Sequence, residues 1–252
     1  MDRILKDLSN KQGGGFNLQD EIKKVEDNKD QISELVNKRK QEEEKQINKA
    51  KENRKKAKRR KAFKNIPKKF EGVTMQNLKD EYEGKEFHQA LNIFVKEVYD
   101  IDEIDKGIYL YGNTGTGKTS LLSVLAQVLY DKKGKSISYM TEEDFKNKLQ
   151  ETYKDYSNKT DVEVIKDIAK HEIVLIDELG QNNSKWFLQN FKILLDEIQN
   201  KKHLIFITSN YSLEKLAYRY MEKNPTDELC KQVVDRLIGM TTPLEIKGES
   251  RR

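Results

Sequence analysis

Cysteine is almost missing from this chain of 252 residues: Cys230 stands alone, and there are only three histidines. One thiol cannot build a disulfide framework, and so few imidazoles make a protein zinc site an unlikely expectation from composition alone. Proline is as scarce, with three in the chain and none before Pro67. No uncharged apolar run approaches the roughly 18 residues that a membrane span needs. No charged-then-apolar leader opens the chain. These absences exclude a secreted disulfide scaffold and an integral membrane protein, and point to the cytoplasm.

Charge is what the chain has in abundance. Charged residues make up 36% and hydrophobic residues 35%, and both are unevenly spread. Residues 1–62 hold 15 hydrophobic residues and carry 19 Lys/Arg against 12 Asp/Glu, a net +7. The whole chain is +5, so residues 63–252 sum to −2. Between Lys38 and Lys61 there are 13 basic and 4 acidic residues, a stripe able to follow a phosphate backbone or simply to face solvent.

Gly13-Gly14-Gly15 punctuates the N-terminus, and no Gly or Pro follows between Phe16 and Ile66. Leu18, Ile22, Val25, Lys29, Ile32 and Val36 follow a four-three spacing, which predicts a helix with one narrow apolar seam interrupted by Lys29. Ile66-Pro67 marks the boundary between this helical extension, 1–62, and a second region, 63–252. There, five short segments rich in β-branched or aromatic residues alternate with helical ones: Gly107–Tyr111, Ile137–Met140, Ile173–Asp177, Leu204–Thr208 and Pro243–Lys247. That alternation predicts an α/β fold, a five-stranded parallel sheet between helices. Only five residues follow Lys247, so no C-terminal helical lid is expected.

Gly112-Asn113-Thr114-Gly115-Thr116-Gly117-Lys118-Thr119 fits G-x-x-x-x-G-K-[ST] between a strand and a helix predicted from Ser120 to Tyr130. Its glycines let backbone N–H groups curl around phosphates at a helix N-terminus. Lys118 is expected to reach the β- and γ-phosphates of ATP, and Thr119 to offer its hydroxyl to Mg²⁺. Ser120 follows in the same turn. Ile173–Ile176 leads into Asp177-Glu178, 59 residues after Lys118. A buried parallel strand ending there sets Asp177 at the Mg²⁺ shell and Glu178 at the attacking water. Asn210 ends the next strand, where an amide could bond the γ-phosphate or instead serve a turn.

Taken in order, the phosphate loop, Asp177-Glu178-Leu179-Gly180, Thr208-Ser209-Asn210 and Val233-Val234-Asp235-Arg236-Leu237 resemble AAA+ ATPases. Within these the chain is similar to the bacterial helicase loaders of the DnaC/DnaI group and to their relatives, the IstB-type transposition helpers. Asn65-Ile66-Pro67-Lys68-Lys69-Phe70, Ser184-Lys185-Trp186 and Gly248-Glu249-Ser250-Arg251-Arg252 carry the same resemblance. It implies that Asn210 is sensor 1, that Arg236 is an arginine finger for a neighbouring subunit's ATP, and that Arg251 or Arg252 is a sensor 2-like arginine. It also implies a DnaB-type hexameric helicase and single-stranded DNA as partners, self-association through the AAA+ interface, and a bacterial or phage source. Two departures are plain. The cysteine-rich zinc domain of some loaders is missing, and Ile198-Gln199-Asn200-Lys201 stands where an Arg often precedes the fourth strand.

For DNA the candidates are Trp186, the only tryptophan, with Lys185 and Ser184 in a polar loop. An aromatic beside a lysine can stack a base and pair a phosphate, although it can equally start a helix and pack inward. Phe145, Lys146 and Lys148 are weaker candidates on the helix after the second strand. Three functions are compatible with this reading: a helicase loader switched by ATP, a transposition helper acting on duplex DNA, and a non-catalytic nucleotide-gated adaptor. Glu178 and Arg236 argue against the last.

Overall fold

The computed structural model describes residues 18–63, 66–70, 72–74, 76–78, 92, 96, 105–154, 159–223 and 228–248. The chain divides into two units, Met1–Arg59 and Arg60–Arg252. Helix α1 runs over Leu18–Ala62 for 45 residues, ending just past the first unit. The absence of Gly and Pro, and the abundance of Lys, Glu and Gln, favour that length. From Val36 to Lys58 every residue of α1 is exposed, Val36 and Ile47 included. The other seam positions, Leu18, Ile22, Val25, Lys29 and Ile32, lie on α1, and their side chains fall outside the described ones.

The second unit is built on a five-stranded, wholly parallel sheet. In chain order its elements are β1 Gly107–Tyr111, α2 Lys118–Asp131, β2 Ile137–Thr141, α3 Glu142–Gln150, α4 Asp161–Ala169, β3 Ile173–Leu179, α5 Lys185–Asn200, β4 Leu204–Ser209, α6 Leu213–Lys223, α7 Glu228–Met240 and β5 Thr241–Glu245. The strands lie side by side as β2-β3-β4-β1-β5.

Alternation along each strand decides which face a side chain joins. Ile108 and Leu110 of β1, Ile173 and Leu175 of β3 and Phe206 of β4 pack with Leu121, Leu122, Leu125 and Leu129 of α2 on one face. Tyr109, Val174, Ile176, Ile205 and Ile207 point the other way, into a core completed by α3, α4, α5, α6 and α7. Both faces are covered, which is why β3 and β4 read as nearly continuous apolar runs. On α5, Phe187, Phe191, Leu194, Leu195 and Ile198 recur at three- and four-residue spacing, and this face is buried throughout. Helix starts follow local chemistry. Thr141 with Asp144 forms a capping box for α3, Thr160 with Glu163 does so for α4, and the Ser184 hydroxyl caps α5.

Besides shifts of one or two residues at the ends of α2, β2 and β4, three features differ from the sequence expectation. The last strand runs over Thr241–Glu245 rather than 243–247, so Pro243 lies inside it, opposite Tyr109. β5 is the edge of the sheet, where a missing N–H is tolerated. Strand β3 continues two residues past Asp177, through an irregularity between Ile176 and Leu179. Trp186 is not in a loop but is the second residue of α5.

Phe145 is 1% exposed and cannot touch a nucleic acid. Its ring meets Phe187 and Phe191 edge-on, with centroids 6.0 and 6.2 Å away, while those two rings stack on each other at 5.7 Å. The sequence presented a polar helix, yet Phe145 and Leu149, four apart, form its one inward stripe. Replacing Phe145 by Ala should lower the unfolding free energy by about 3–5 kcal/mol in denaturant titrations.

Candidate functional site

The site is assembled at the carboxyl ends of β1, β3 and β4, the end at which open α/β sheets hold ligands. The loop after β1 is shaped by glycine. Gly112, Gly115 and Gly117 have φ of 146°, 86° and 93°. At Gly112 space is decisive as well, because a Cβ there would lie 2.2 Å from the carbonyl oxygen of Ile246, just beyond β5. The loop closes on itself through Thr116 Oγ1, which donates to the Asn113 carbonyl at 2.9 Å. Gly117 caps α2 with no side-chain acceptor for the helix's first N–H groups. Those N–H groups, the positive end of the helix and the glycine cradle together suit a polyphosphate.

Lys118 is buried at 7% exposure, and its Nζ donates to the carbonyls of Gly112 at 2.8 Å and Asn113 at 2.7 Å. The ammonium is thus stored along the inner side of the loop. Asn113 and Thr114 form the exposed rim, and Ser120 is buried in the first turn of α2.

Asp177 is 2% exposed, and three hydroxyls satisfy it. Thr119 Oγ1 donates to Oδ1 at 3.2 Å, Tyr139 OH donates to Oδ2 at 2.9 Å, and Thr208 Oγ1 donates to Oδ1. Burial, and then the neighbouring Asp177 charge, push the Tyr139 phenol far up, so it remains a donor. Thr119 and Asp177 are the hard oxygen donors Mg²⁺ prefers, and the ion usually takes one or two carboxylates and completes its shell with water and phosphate. Accordingly, among the described residues no group of three or more His, Cys, Asp or Glu could hold a metal by itself. The residues present therefore fit Mg·ATP: the loop from Gly112 to Thr119 would hold the phosphates, and Thr119 with Asp177 the ion.

Glu178 sits where β3 slips out of register with β4. Its φ is 61°, in the left-handed region where a non-glycine residue is strained, and its side chain is exposed. Its N–H donates to Thr208 Oγ1 at 2.9 Å. One hydroxyl thus fixes both acids, which keeps Asp177 turned inward and Glu178 outward. The slip could not be read from the sequence. Thr208 could have been, as a hydroxyl at a strand end beside an acidic pair.

Other expected residues fall less close to this centre. Asn210 is exposed, one residue past the end of β4. Arg236, on α7, is engaged by Asp196 of α5 through its Nε, and its Nη1 donates to the Gln232 carbonyl at 3.2 Å. Burial raises the Asp196 carboxyl, but Arg236 and Lys192 outweigh it and hold it below the usual range. Val233 and Leu237 face the core together, as their spacing predicts. Arg251 and Arg252 lie outside the described residues.

Ser184 and Lys185 are exposed at the start of α5, and Trp186 is half-buried. Trp186 packs on the core, and its Nε1 donates to Tyr153 OH at 3.1 Å, with ring centroids 6.2 Å apart. Lys146 pairs with Glu143 at 2.9 Å, and Lys148 is exposed.

The sequence reading missed Glu142. It is 2% exposed and accepts the N–H groups of Gly180 at 2.6 Å, Gln181 at 3.1 Å and Asn182. Burial raises its carboxyl to about 7, against the pull of those N–H groups and of Arg219. Its partners are some 40 residues away in sequence, so no local pattern marks it.

The sheet order, the phosphate loop and the acidic strand end define a phosphate-loop nucleotide-binding fold of the AAA+ kind. Residues 23–252 match the model of the IstB-like ATP binding protein family, and the chain belongs to that family. Among curated proteins it is similar to the replicative helicase loader DnaI of Bacillus subtilis (strain 168), 26% identical over 153 residues, 58% of this chain and 48% of that protein. It thus spans about half the length of that relative. It is also similar to the replicative helicase loader DnaC of Buchnera aphidicola subsp. Acyrthosiphon pisum (strain APS), 24% identical over 73% of this chain and 70% of that protein. Among solved structures the DnaC helicase loader shares the fold, with a TM-score of 0.57 and 22% identity over 72% of this chain and 100% of that one. No helix among the described residues is long and apolar enough to cross a membrane.

Replacing Lys118 by Ala removes the only buried lysine of the loop. ATP binding should be abolished in equilibrium titrations with Mg²⁺, while far-UV circular dichroism stays that of the wild type.

Proposed function

We propose that the chain is an ATP-hydrolysing loader of a ring-shaped, DnaB-type replicative helicase, working in the bacterial cytoplasm. The observation that carries the reading is the pairing of Asp177 and Glu178 under the Thr208 hydroxyl, one acid inward against Thr119 and the other outward. That is the arrangement hydrolysis needs: an ion held on the phosphates and a separate carboxylate free to orient water. A nucleotide-gated adaptor would have no use for the strained Glu178. Asn210 acts as sensor 1 at the γ-phosphate, and Arg251 or Arg252 as the sensor 2-like arginine.

The loader half of the proposal is supported by the likeness to DnaI and DnaC. Residues 1–62 are the helicase-docking region and 63–252 the ATPase region, a division near the boundary between the two units at Arg59 and Arg60. Single-stranded DNA is gripped at the start of α5, where Lys185 supplies charge and Trp186 an aromatic surface, with Ser184 beside them. The stripe from Lys38 to Lys61, exposed apart from a half-buried Arg59, adds affinity for phosphate that should weaken as salt rises. In the assembled state Arg236 exchanges Asp196 for the γ-phosphate of a neighbouring subunit.

Two measurements test the proposal. Glu178→Gln should bind ATP like the wild type and lose hydrolysis by about 100-fold or more, in line with the loss of a positioned general base; wild-type turnover would remove Glu178 from the role. Affinity capture from lysate of the source organism, with the retained protein identified by mass spectrometry, should recover a hexameric helicase. Recovery of a transposase would replace the loader by a transposition helper.

A further inference from the structure

Glu178 keeps its left-handed backbone only because the chain on both sides is held. Strain of this kind persists where the surroundings over-determine it. Before it, Asp177 is fixed by three hydroxyls. At Glu178 the N–H is taken by Thr208. After it, the Leu179 carbonyl accepts from Ser209 Oγ at 2.6 Å. Then comes a turn of three consecutive amides, Gly180, Gln181 and Asn182, all donated to one buried carboxylate, that of Glu142.

The chain can reach that carboxylate only by a special path. Gly180 has φ of 106°, and a Cβ there would meet Tyr211 at 2.8 Å and Leu216 at 2.9 Å. Arg219 of α6 donates to the Gly180 carbonyl, so the peptide is gripped from both sides. Beyond the turn, Asn182 Oδ1 accepts the Ser184 N–H at 3.0 Å and hydroxyl at 2.8 Å, and Ser184 in turn caps α5. Glu142 itself is fixed, since it opens α3 immediately after Thr141, which pairs with Asp177 across β2 and β3.

A buried carboxylate is a costly way to close a turn unless its charge is fully bonded. Here it is bonded by backbone alone, and a single side chain joins the strand that carries Glu178 to the helix start that carries Lys185 and Trp186. We propose that Glu142 is a positioning residue for ATP hydrolysis: by binding the 180–182 amides it holds Glu178 in its outward, strained conformation and sets the α5 start rigidly relative to it. This rests on the reading of Glu178 as the water-orienting carboxylate.

The test compares wild type with Glu142→Ala and Glu142→Gln, and runs Glu178→Gln alongside. The isosteric amide keeps the volume, so it serves if the alanine variant does not fold. It can still accept from two of the three N–H groups but sets an NH₂ against the third. Amide hydrogen exchange should quicken at residues 180–182 by about tenfold or more in both variants, the scale of losing hydrogen bonds to a charge. Exchange in the phosphate loop should not change. Single-turnover hydrolysis of Mg·ATP should fall by about tenfold to 100-fold, the cost of a small misplacement of a catalytic group, with ATP affinity unchanged. The loss should be smaller in Glu142→Gln than in Glu142→Ala.

Unchanged exchange at 180–182 in a folded variant would overturn the clamp. So would normal hydrolysis, or an ATP affinity that falls in step with turnover, since that is the mark of general structural damage. If Glu178→Gln hydrolyses ATP normally, the reading of Glu178 fails by itself, and the exchange data still judge the clamp.

Discussion

The buried carboxylate of Asp177 is the contact on which the phosphate-loop region turns. It lies at the end of β3 and receives hydroxyls from α2, β2 and β4, one from each neighbour that lines the site. A carboxyl group at 2% exposure would be costly to bury without such donors. The same bonds hold the phosphate-loop helix in place relative to the sheet. Thr119 has two claims on it, the bond to Asp177 and the ion it would share with Asp177, and both call for the same geometry. Stability and function are therefore met by one arrangement rather than traded against each other.

The second constraint is the parallel sheet. Because all five strands point the same way, their carboxyl ends, and every loop that follows them, gather on one side. The phosphate loop after β1, the acidic pair of β3 and Thr208 of β4 meet there without any of them being near in sequence. The two hydrophobic cores fix the sheet from both faces, which lets β3 keep its strained conformation at Glu178.

How far the sequence disclosed this depended on the range of each interaction. The phosphate loop, β1 and the α5 face were legible because glycine spacing and period are local signals. Strand β5 was placed two residues late because Pro243 reads as a strand start, whereas the edge position allows it inside. Phe145 was misread because one aromatic among Glu, Asp, Asn and Lys looks like a surface residue until its partners Phe187 and Phe191 arrive from α5. Arg236 showed its helical face correctly, but its partner Asp196 lies 40 residues earlier and no spacing reveals it. Glu142 was invisible for the same reason: it bonds to backbone, which carries no sequence signature.

The contact between Gly112 and the Ile246 carbonyl has a mechanical side. Ile246 N–H also donates to the Tyr111 carbonyl at 2.7 Å, so the chain leaving β5 is stitched to the root of the phosphate loop. β5 is held along one edge only, by β1, in parallel register. A pull on the chain beyond β5 is therefore carried as shear along β1 and arrives first at Gly112. The segment behaves as a tension line anchored in the nucleotide loop: whatever takes hold of that end also takes hold of the ATP site.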